Sequence, residues 1–566
     1  MTEFSVWAPN RSRVRVHNGP SVHEMAVGED GWWRAEVSDA APDYAFQLDD
    51  EPDELPDPRS RWQPDGVHKR SHRYDHSGFE WTDADWTGRQ LPGGIVYELH
   101  IGTFTPEGTF DAAIGKLGHL VDLGVDFVEV MPVNAFDGPH GWGYDGVCWY
   151  AAHDPYGGPD GFKRFVDACH NRGLAVLLDV VYNHLGPSGA YLDRFGPYFA
   201  GETIWGPTLN LDGPQSDEVR RYVIDNAVSW LRDFHVDGLR LDAVHALSDR
   251  RATNLLEELS SEVDALSVHL RRPLTLIAES DLNDPRLVTP REAGGYGLQA
   301  QWSDDLHHCL HATLSGERQG YYADFGSLQA LAATLTGVFW HAGTWSSFRG
   351  RHHGRKVDTL TTPGHRFLAY LQDHDQIGNR ATGDRLSDTA SPGLLACGAA
   401  IVLCSPYTPM IFMGEEWAAS TPWQFFASFP DPKLADAVRT GRRREFAEHG
   451  WDAQDVPDPV DPATFDRSKL RWEEIATAGH AEMLATYKAL IALRRSRPEL
   501  TDPRLRQLSV DIDEENRVVV LHRGDLRVVC NLGDERVEPP PGTVLFSSAT
   551  PGDPESVTVV EVSADG

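Results

Sequence analysis

The sequence lacks any uninterrupted apolar run of the roughly 20 residues that a membrane-spanning helix needs. The longest apolar segment, over 396–413, is broken by Ser405, Pro406 and Pro409 and is typical of a buried core. The first residues, MTEFSVWAPN, contain no basic region followed by an apolar run, so a secretory signal is not expected. These absences exclude a membrane as the expected partner.

Cysteine is scarce, and basic residues are outnumbered. The six cysteines lie in apolar surroundings without metal-type spacing, which favours reduced structural thiols and a cytoplasmic location. The chain has 51 Lys and Arg against 85 Asp and Glu, a formal net charge of -34. Solubility is the simplest reason for such acidity, but nucleic acids and anionic membranes would also be repelled. We therefore expect no nucleic-acid partner, and a neutral or cationic substrate rather than a phosphorylated one.

The pattern of apolar runs divides the 566 residues into three regions. Residues 1–90 hold short β-forming runs separated by turn residues, which predicts a small N-terminal β-sandwich. Residues 91–498 alternate eight apolar strands with helical stretches, which predicts an α/β fold with a parallel (β/α)8 TIM barrel. A long insertion rich in His and aromatic residues, 304–365, interrupts the later repeats. Residues 499–566 are β-rich and predict a small C-terminal β-sandwich.

Polar side chains recur at the ends of the predicted barrel strands, where such barrels carry their chemistry. Three separate strands each end in a carboxylate, namely Asp242, Glu279 and Asp375. The eight strands are predicted over 95–104, 126–133, 174–184, 236–247, 274–280, 297–303, 366–375 and 409–416. Three carboxylates that meet in one barrel mouth would repel one another unless they are used or neutralised, which favours a catalytic set.

Arg240 and Asp242 lie two positions apart at the end of the fourth predicted strand. Side chains two apart in a strand point to the same face, so the guanidinium is expected to keep the carboxylate ionised and to aim it. A structural ion pair in a core would use the same two residues. An immobilised carboxylate at the carboxyl end of a barrel strand is typical of a nucleophile.

Carboxylates without a metal-binding motif suggest the hydrolysis of glycosidic bonds. One ionised carboxylate attacks the anomeric carbon, and a second one, held protonated, gives its proton to the leaving oxygen. The apolar residues before Glu279 would keep its proton near neutral pH. His184, His245 and His374 could donate hydrogen bonds to sugar hydroxyls, whereas a zinc site would need a local spacing such as HExxH. No metal ion and no cofactor are therefore expected.

Four stretches at these strand ends resemble, in order, the motifs of the α-amylase family of glycoside hydrolases. They are DVVYNH (179–184), GLRLDAVH (238–245), AES around Glu279 and QDHDQIGNR (372–380). The resemblance covers roughly residues 95–495 and implies a retaining mechanism with two displacements. It implies that Asp242 is the nucleophile, Glu279 the general acid/base and Asp375 the stabiliser of the transition state.

The same resemblance implies contacts to the sugar at the cleavage position. Arg240, His184 and His374 would hold this sugar, and Tyr144 would stack against it. Further contacts are implied at Asp145, Leu241, Ala243, Val244 and His245. The N-terminal region, which starts with FSVWAP, is similar to the carbohydrate-binding type of domain carried by branching-enzyme and isoamylase relatives.

Further stretches resemble one group within the family, which cuts the α-1,4 bond next to a terminal trehalose. They are LHIGTFTPEGTF, MPVNAFDGPHGWGYDGV, QWSDDLHH, LQDHDQIGNRATGDRL, FMGEEW and GRRREF. The resemblance implies an α-glucan substrate, maltooligosyltrehalose, supplied by a synthase that forms it. Trehalose recognition is expected partly at Trp302, Asp304, Asp305, His307, His308, Gln376, Ile377, Gly378, Asn379 and Arg380. Capping and solvation of a loop would explain Asp304, Asp305, His307 and His308 equally well.

Several alternatives stay open at this point. Trp417 and Trp423 suit sugar platforms and core packing equally well. The segment 185–215 is short and holds no evident cluster of acidic ligands, so a required calcium ion is not expected. A glycogen branching enzyme would share the sandwich, the barrel and the three acids, but would transfer the chain to a sugar hydroxyl. A non-catalytic protein that binds α-glucan is the third alternative.

Overall fold

The computed structural model describes residues 1–203, 206–448 and 456–563. Seven strands near the N-terminus form two antiparallel sheets, with the strand orders β1-β5-β4 and β3-β2-β6-β7. These strands are β1 (Thr2–Trp7), β2 (Val14–Asn18), β3 (Ser21–Glu24), β4 (Ala26–Val27), β5 (Trp32–Val37), β6 (Asp43–Leu48) and β7 (Ser71–His72). Their apolar side chains, such as Phe4, Val16 and Phe46, are buried between the sheets.

Eight parallel strands then close into a barrel in the order β12-β15-β16-β17-β20-β21-β8-β9. Seven of them lie within the predicted ranges, and the eighth, β21, begins one residue before its predicted start, at Thr408, which confirms the barrel. The strands of this region are β8 (Val96–Leu99), β9 (Phe127–Val130), β10 (Asn134–Ala135), β11 (Cys148–Ala152), β12 (Ala175–Val180), β13 (Phe199–Thr203), β14 (Gly206–Leu209), β15 (Gly238–Leu241), β16 (Thr275–Ala278), β17 (Ala300–Trp302), β18 (Thr344–Ser346), β19 (Arg351–His353), β20 (Phe367–Tyr370) and β21 (Thr408–Phe412).

Helices connect these strands and surround the barrel. They are α1 (Ile101–Phe104), α2 (Phe110–Ile114), α3 (Leu117–Leu123), α4 (Gly158–His170), α5 (Leu192–Phe195), α6 (Ser216–Asp233), α7 (Leu255–Leu270), α8 (Asp304–Ser315), α9 (Leu328–Gly337), α10 (His374–Gly378), α11 (Pro392–Cys404), α12 (Pro432–Glu448), α13 (Pro462–Arg467), α14 (Ala478–Ser496) and α15 (Pro498–Thr501). The barrel interior is filled by Phe127, Leu177, Ile277, Leu368 and Met410, all buried. Side chains with charge collect above this apolar layer, at the carboxyl ends of the strands.

Two predicted strands end earlier than expected. The first predicted strand stops at Leu99, and the chain turns at His100 into α1. The helical stretch that follows the first strand is divided into α2 and α3, because the N–H of Gly115 closes α2. The seventh strand stops at Tyr370, and its last predicted residues open α10 instead. The Asp373 carboxylate caps that helix by accepting a 2.7 Å hydrogen bond from the N–H of Gln376.

The C-terminal region is β-rich, as predicted, and its described strands form one antiparallel sheet rather than two facing sheets. These strands are β22 (Leu508–Asp513), β23 (Val518–Arg523), β24 (Leu526–Asn531), β25 (Thr543–Ser547) and β26 (Ser556–Glu561), in the order β22-β23-β24-β26-β25. Helix α11 packs against β24 and β26, so a helix covers the apolar face that a second sheet would otherwise bury. Among the described residues, we find no helix with both the length and the apolar character required to cross a membrane.

Candidate active site

The predicted pair of Arg240 and Asp242 is present at the end of β15. Arg240 is fully buried, and its Nη1 lies 2.7 Å from Asp242 Oδ1 and 2.9 Å from Asp179 Oδ2. The second oxygen of Asp242 accepts a 2.7 Å hydrogen bond from the side-chain amide of Asn183. Because both carboxylate oxygens are held while 12% of the side chain stays exposed, Asp242 is fixed in orientation and still reachable from solvent.

Glu279 lies directly after β16, beside the same guanidinium. Its Oε2 accepts a 2.6 Å hydrogen bond from the backbone N–H of Ala243 and lies 3.7 Å from Arg240 Nη2. Burial raises the pKa of Glu279 to about 8, and the negative charges of Asp242 and Asp304 add to this effect against the opposing Arg240. At neutral pH, Glu279 therefore holds a proton that it can donate.

Asp375 lies in the first turn of α10, at the top of the seventh barrel strand. Its Oδ1 accepts a 3.1 Å hydrogen bond from the Asn379 side chain, and its Oδ2 lies 3.3 Å from His374 Nε2. Burial alone would raise the pKa of Asp375, but His374 and the Asn379 amide leave it below its ordinary value. Asp375 is therefore ionised at neutral pH.

His374 and Tyr144 connect the third and seventh strand ends. The Tyr144 hydroxyl donates a 2.6 Å hydrogen bond to Asp179 Oδ2 and lies 2.7 Å from His374 Nε2. His374 Nδ1 forms an ion pair with the buried Glu98. Burial opposes the charge of His374, yet Glu98 and Asp375 raise its pKa well above the ordinary value. Arg240 and His374 thus each pair with two carboxylates, Arg240 with Asp179 and Asp242, and His374 with Glu98 and Asp375.

A cleft of about 640 Å³ opens above these groups. The predicted site residues that line it are Tyr144, Asp145, His184, Asp242, Ala243, His245, Glu279, Asp304, His308, Asp375, Gln376 and Asn379. All three acids of the predicted catalytic set therefore face one space. Asp304 is also hydrogen-bonded by the Tyr370 hydroxyl, and burial raises the pKa of Asp304 to about 6.

The other predicted site residues lie outside the lining of this cleft. Arg240 and His374 are buried directly behind the acids, and the Trp302 ring centre lies 4.4 Å from Arg240 Cζ. Four more of the predicted residues are buried and do not line the cleft, namely Leu241, Val244, Ile377 and Gly378.

Asp305, His307 and Arg380 have partners within the protein. Asp305 accepts a 2.9 Å hydrogen bond from the His341 backbone, and His307 Nδ1 lies 2.8 Å from the Leu371 carbonyl oxygen. Two nitrogens of Arg380 donate to Glu317, each at 2.8 Å. The last two residues of GRRREF, Glu445 and Phe446, have side chains outside the described set.

Sequence reasoning missed several residues of the lining. They are Trp142, Asp281, Tyr321, Phe348, Arg349, Phe425 and Phe426. Tyr321, Phe348 and Arg349 belong to the aromatic-rich insertion, whose composition was the one available signal. Trp142 precedes Tyr144 in GWGYDG, but that motif does not show that the Trp142 ring lines the cleft. Trp417 and Trp423 are fully buried, which assigns both to the core rather than to the cleft.

The side-chain amide of Asn183 donates to Asp242 rather than facing a cluster of acidic ligands. In the parts of the chain that the structure describes, no group of three or more His, Cys, Asp or Glu side chains is arranged to hold a metal ion. That calcium is not required stays a prediction.

The barrel and its set of three acids define a glycoside hydrolase of the α-amylase class. A family model described as alpha amylase, catalytic domain, matches residues 70–197, and one described as a domain of unknown function, DUF3459, matches 503–564. The malto-oligosyltrehalose trehalohydrolase of Mycobacterium tuberculosis is 58% identical over 94% of this chain and 93% of its own length. The protein of that name from Saccharolobus solfataricus is 44% identical over 87% and 85%. This chain belongs to the malto-oligosyltrehalose trehalohydrolase family.

Solved structures share the fold of this chain. A crystal structure of a Salmonella typhimurium protein, provisionally described as an alpha amylase, has a TM-score of 0.91 at 38% identity and covers 99% of this chain and 97% of its own. A pullulanase from Anoxybacillus, complexed with maltotetraose, has a TM-score of 0.73 at 18% identity, with 99% and 86% coverage, and shows the fold alone. A branching enzyme of Pseudoalteromonas atlantica is only 26% identical, over 75% of this chain and 62% of its own length.

Proposed function

We propose that this protein hydrolyses the α-1,4-glucosidic bond next to the terminal trehalose of maltooligosyltrehalose. The products are trehalose and a maltooligosaccharide. The observation that carries this proposal is the pair of Asp242 and Glu279 on one guanidinium, at 2.7 and 3.7 Å. One of the two acids is ion-paired and the other is protonated, which is the division of roles that glycosidic cleavage requires. The names of the relatives support the choice of bond.

The reaction proceeds in two displacements. In the first, an oxygen of Asp242 bonds to the anomeric carbon while the bond from that carbon to the leaving oxygen breaks. The proton of Glu279 passes to the leaving oxygen, so trehalose departs as a neutral alcohol. In the second, the Glu279 carboxylate takes a proton from water, whose oxygen attacks the same carbon and frees Asp242. Asp375 and its ion pair with His374 stabilise the positive charge that develops on the sugar ring.

Recognition of the trehalose unit is part of the proposal. Asp304, His308, Gln376 and Asn379 line the cleft and offer hydrogen-bond donors and acceptors to sugar hydroxyls. The Tyr144 ring, held by its hydroxyl between Asp179 and His374, is the expected platform for the sugar at the cleavage position. We also propose that the enzyme works in the cytoplasm on the product of a maltooligosyltrehalose-forming synthase.

The test compares two substrates of equal length, maltotriosyltrehalose and maltopentaose, by chromatography of the products. We expect rapid release of trehalose and maltotriose from the first and slow cleavage of the second. Similar rates on both would overturn the preference for trehalose, and longer branched products without new reducing ends would indicate a branching enzyme. Proton NMR of the first-formed maltotriose should show the α-anomer, because two displacements retain configuration. The β-anomer would exclude Asp242 as a nucleophile.

A further inference from the structure

Arg442 on α12 contacts the short helix that carries Asp375. Its Nη2 donates a 2.7 Å hydrogen bond to the backbone carbonyl of Gly378, the last residue of α10. The last carbonyls of a helix have no partner within the helix, and a cation at that end also interacts favourably with the helix dipole. Arg442 therefore stabilises the end of α10 from outside the barrel wall.

The same guanidinium lies against an aromatic wall of the cleft. Arg442 Cζ lies 5.1 Å from the centre of the Phe425 ring, and Phe425 lines the cleft. Phe425 also packs edge-to-face on Trp142, with ring centres 5.1 Å apart. A guanidinium at this distance from a ring is attracted to the face of the ring, and more strongly when it is desolvated. Arg442 thus contacts both the helix of Asp375 and a cleft wall.

A short chain of contacts leads from Gly378 to the Asp375 carboxylate. Asn379 follows Gly378, and its side-chain amide donates the 3.1 Å hydrogen bond to Asp375 Oδ1. The backbone N–H of Asn379 also donates to the Asp375 carbonyl oxygen, at 2.9 Å. Gly378 itself has no free space, since a Cβ built there would lie 2.1 Å from the Trp142 ring. A displacement of the Gly378 carbonyl would therefore move the Asn379 amide.

We infer that Arg442 is a positioning residue, which fixes the Asp375 carboxylate through the Gly378 carbonyl and the Asn379 amide. This inference rests on the proposed function, because it takes Asp375 as the group that stabilises the transition state. Arg442 does not reach the reacting atoms. Its role is to hold α10 and the Phe425 ring in the arrangement that the bound sugar requires, since small misplacements of such groups are costly to the rate.

The test uses Arg442→Met, which keeps the length of the side chain and removes its donors, and Arg443→Met as the matched control. Arg443 is the next residue of α12 and is exposed. We expect R442M to lower kcat by about 10- to 100-fold with less than a threefold change in KM. R443M should change neither constant. Arg442→Lys keeps a donor for the carbonyl without the planar fork, so its kcat should fall between those of the wild type and R442M.

A double-mutant cycle with Asn379→Ala separates positioning from a general loss of structure. If Arg442 acts through Asn379, R442M should reduce kcat at least about fivefold less in the N379A background than in the wild type. Multiplicative effects of the two substitutions would overturn the inference. An R442M protein that unfolds at a much lower temperature would be replaced in the cycle by R442K.

The cycle is measured on both maltotriosyltrehalose and maltopentaose. Failure of the proposed function would appear in the wild-type protein, as equal rates on the two substrates. Failure of the role of Arg442 would appear as independent effects of R442M and N379A on whichever substrate is cleaved. The two outcomes are therefore distinguishable.

Discussion

The backbone N–H of Ala243 donates a 2.6 Å hydrogen bond to Glu279 Oε2. Ala243 directly follows Asp242, so the proposed proton donor is held by the neighbour of the proposed nucleophile. Ala243 adopts a left-handed backbone conformation, with φ 39° and ψ 51°, which is unfavourable for a residue with a Cβ. This local strain allows its N–H to point at Glu279 while Asp242 faces Arg240. The separation of the two acids is thus set by two consecutive residues, Asp242 and Ala243, and one hydrogen bond.

The pKa of Glu279 predicts the alkaline limb of the pH profile. Glu279 must be protonated to act as the acid, and burial raises its pKa to about 8, so kcat/KM should fall as the pH rises through about 8. Asp304→Asn removes one of the negative charges that raise this pKa and should move the limb to lower pH. The control is Asp122→Asn, an exposed residue on α3 that should leave the limb in place. A limb that does not move in D304N would contradict this electrostatic coupling.

Asp242→Asn tests the nucleophile. The substitution keeps the size of the side chain and leaves Arg240 its ion pair with Asp179, at 2.9 Å, so the fold should be retained. We expect kcat to fall by about 10⁴-fold or more, with circular dichroism and the apparent Tm little changed. Wild-type turnover in the Asp242→Asn protein would show that the activity comes from a contaminating enzyme. The protein itself would then be a non-catalytic α-glucan-binding protein.

The packing of Gly378 makes a separate prediction about α10. A Cβ at this position would lie 2.1 Å from the Trp142 ring, so Gly378→Ala must displace the helix or the ring. We expect kcat/KM to fall about 10-fold or more, because α10 carries Asp375. Gly118→Ala on α3 is the matched control, since no atom lies within 4 Å of its added Cβ. That variant should keep full activity and gain a little stability, as Ala is the better helix former.

His170, at the amino end of the barrel, predicts a pH-dependent contribution to stability. Its ring lies 2.8 Å from Asp83 and 3.0 Å from Asp237, all three side chains being nearly or fully buried. His235 also contacts Asp83 and Arg272 contacts Asp237, so each carboxylate has a second partner besides His170. Burial alone would lower the pKa of His170, but the hydrogen bonds to Asp237 and Asp83 raise it above the ordinary value.

The sign of this contribution follows from the raised pKa. The stability gained from charged His170 is complete below the unfolded-state pKa of about 6.5 and is lost as the pH rises through the folded-state pKa. The pKa values of Asp83 and Asp237 are lowered, so on the acid side the gain is lost as the pH falls below about 4. His170→Gln should therefore lower the free energy of unfolding by about 3 kcal/mol near pH 6 and by less near pH 9. Urea denaturation at both pH values measures this, with the exposed His269→Gln as control; an equal loss at both would contradict it.

The barrel could be predicted from the sequence because its strands are short apolar runs that alternate with helical stretches. The pairing of Arg240 with Asp242 followed from a spacing of two in a strand, and the structure confirms it at 2.7 Å. The raised pKa of Glu279 followed from its apolar neighbours. Such inferences succeed where side-chain direction depends on the local backbone alone.

The remaining part of the site depends on distances between segments far apart in the chain. Arg380 was expected at the sugar, yet Glu317, 63 positions earlier, binds it in two hydrogen bonds. Phe348 and Arg349 line the cleft, and Arg349 pairs with Asp281 in the segment after β16, a tertiary contact that no periodicity predicts. Glu98 supports His374 from a distance of 276 positions in the chain. These partnerships are tertiary, and composition alone does not assign them.

Helix α11 has a consequence for how the protein can be produced and engineered. Every residue from Leu394 to Cys404 is buried, because the barrel covers one side of the helix and the C-terminal sheet covers the other. A recombinant fragment that ends at the predicted boundary after residue 498 would expose this apolar surface and aggregate in the expression host. An exchange of the C-terminal region between homologues would have to include the α11 helix of the same homologue. The catalytic unit that can be manufactured is therefore larger than the barrel that performs the chemistry.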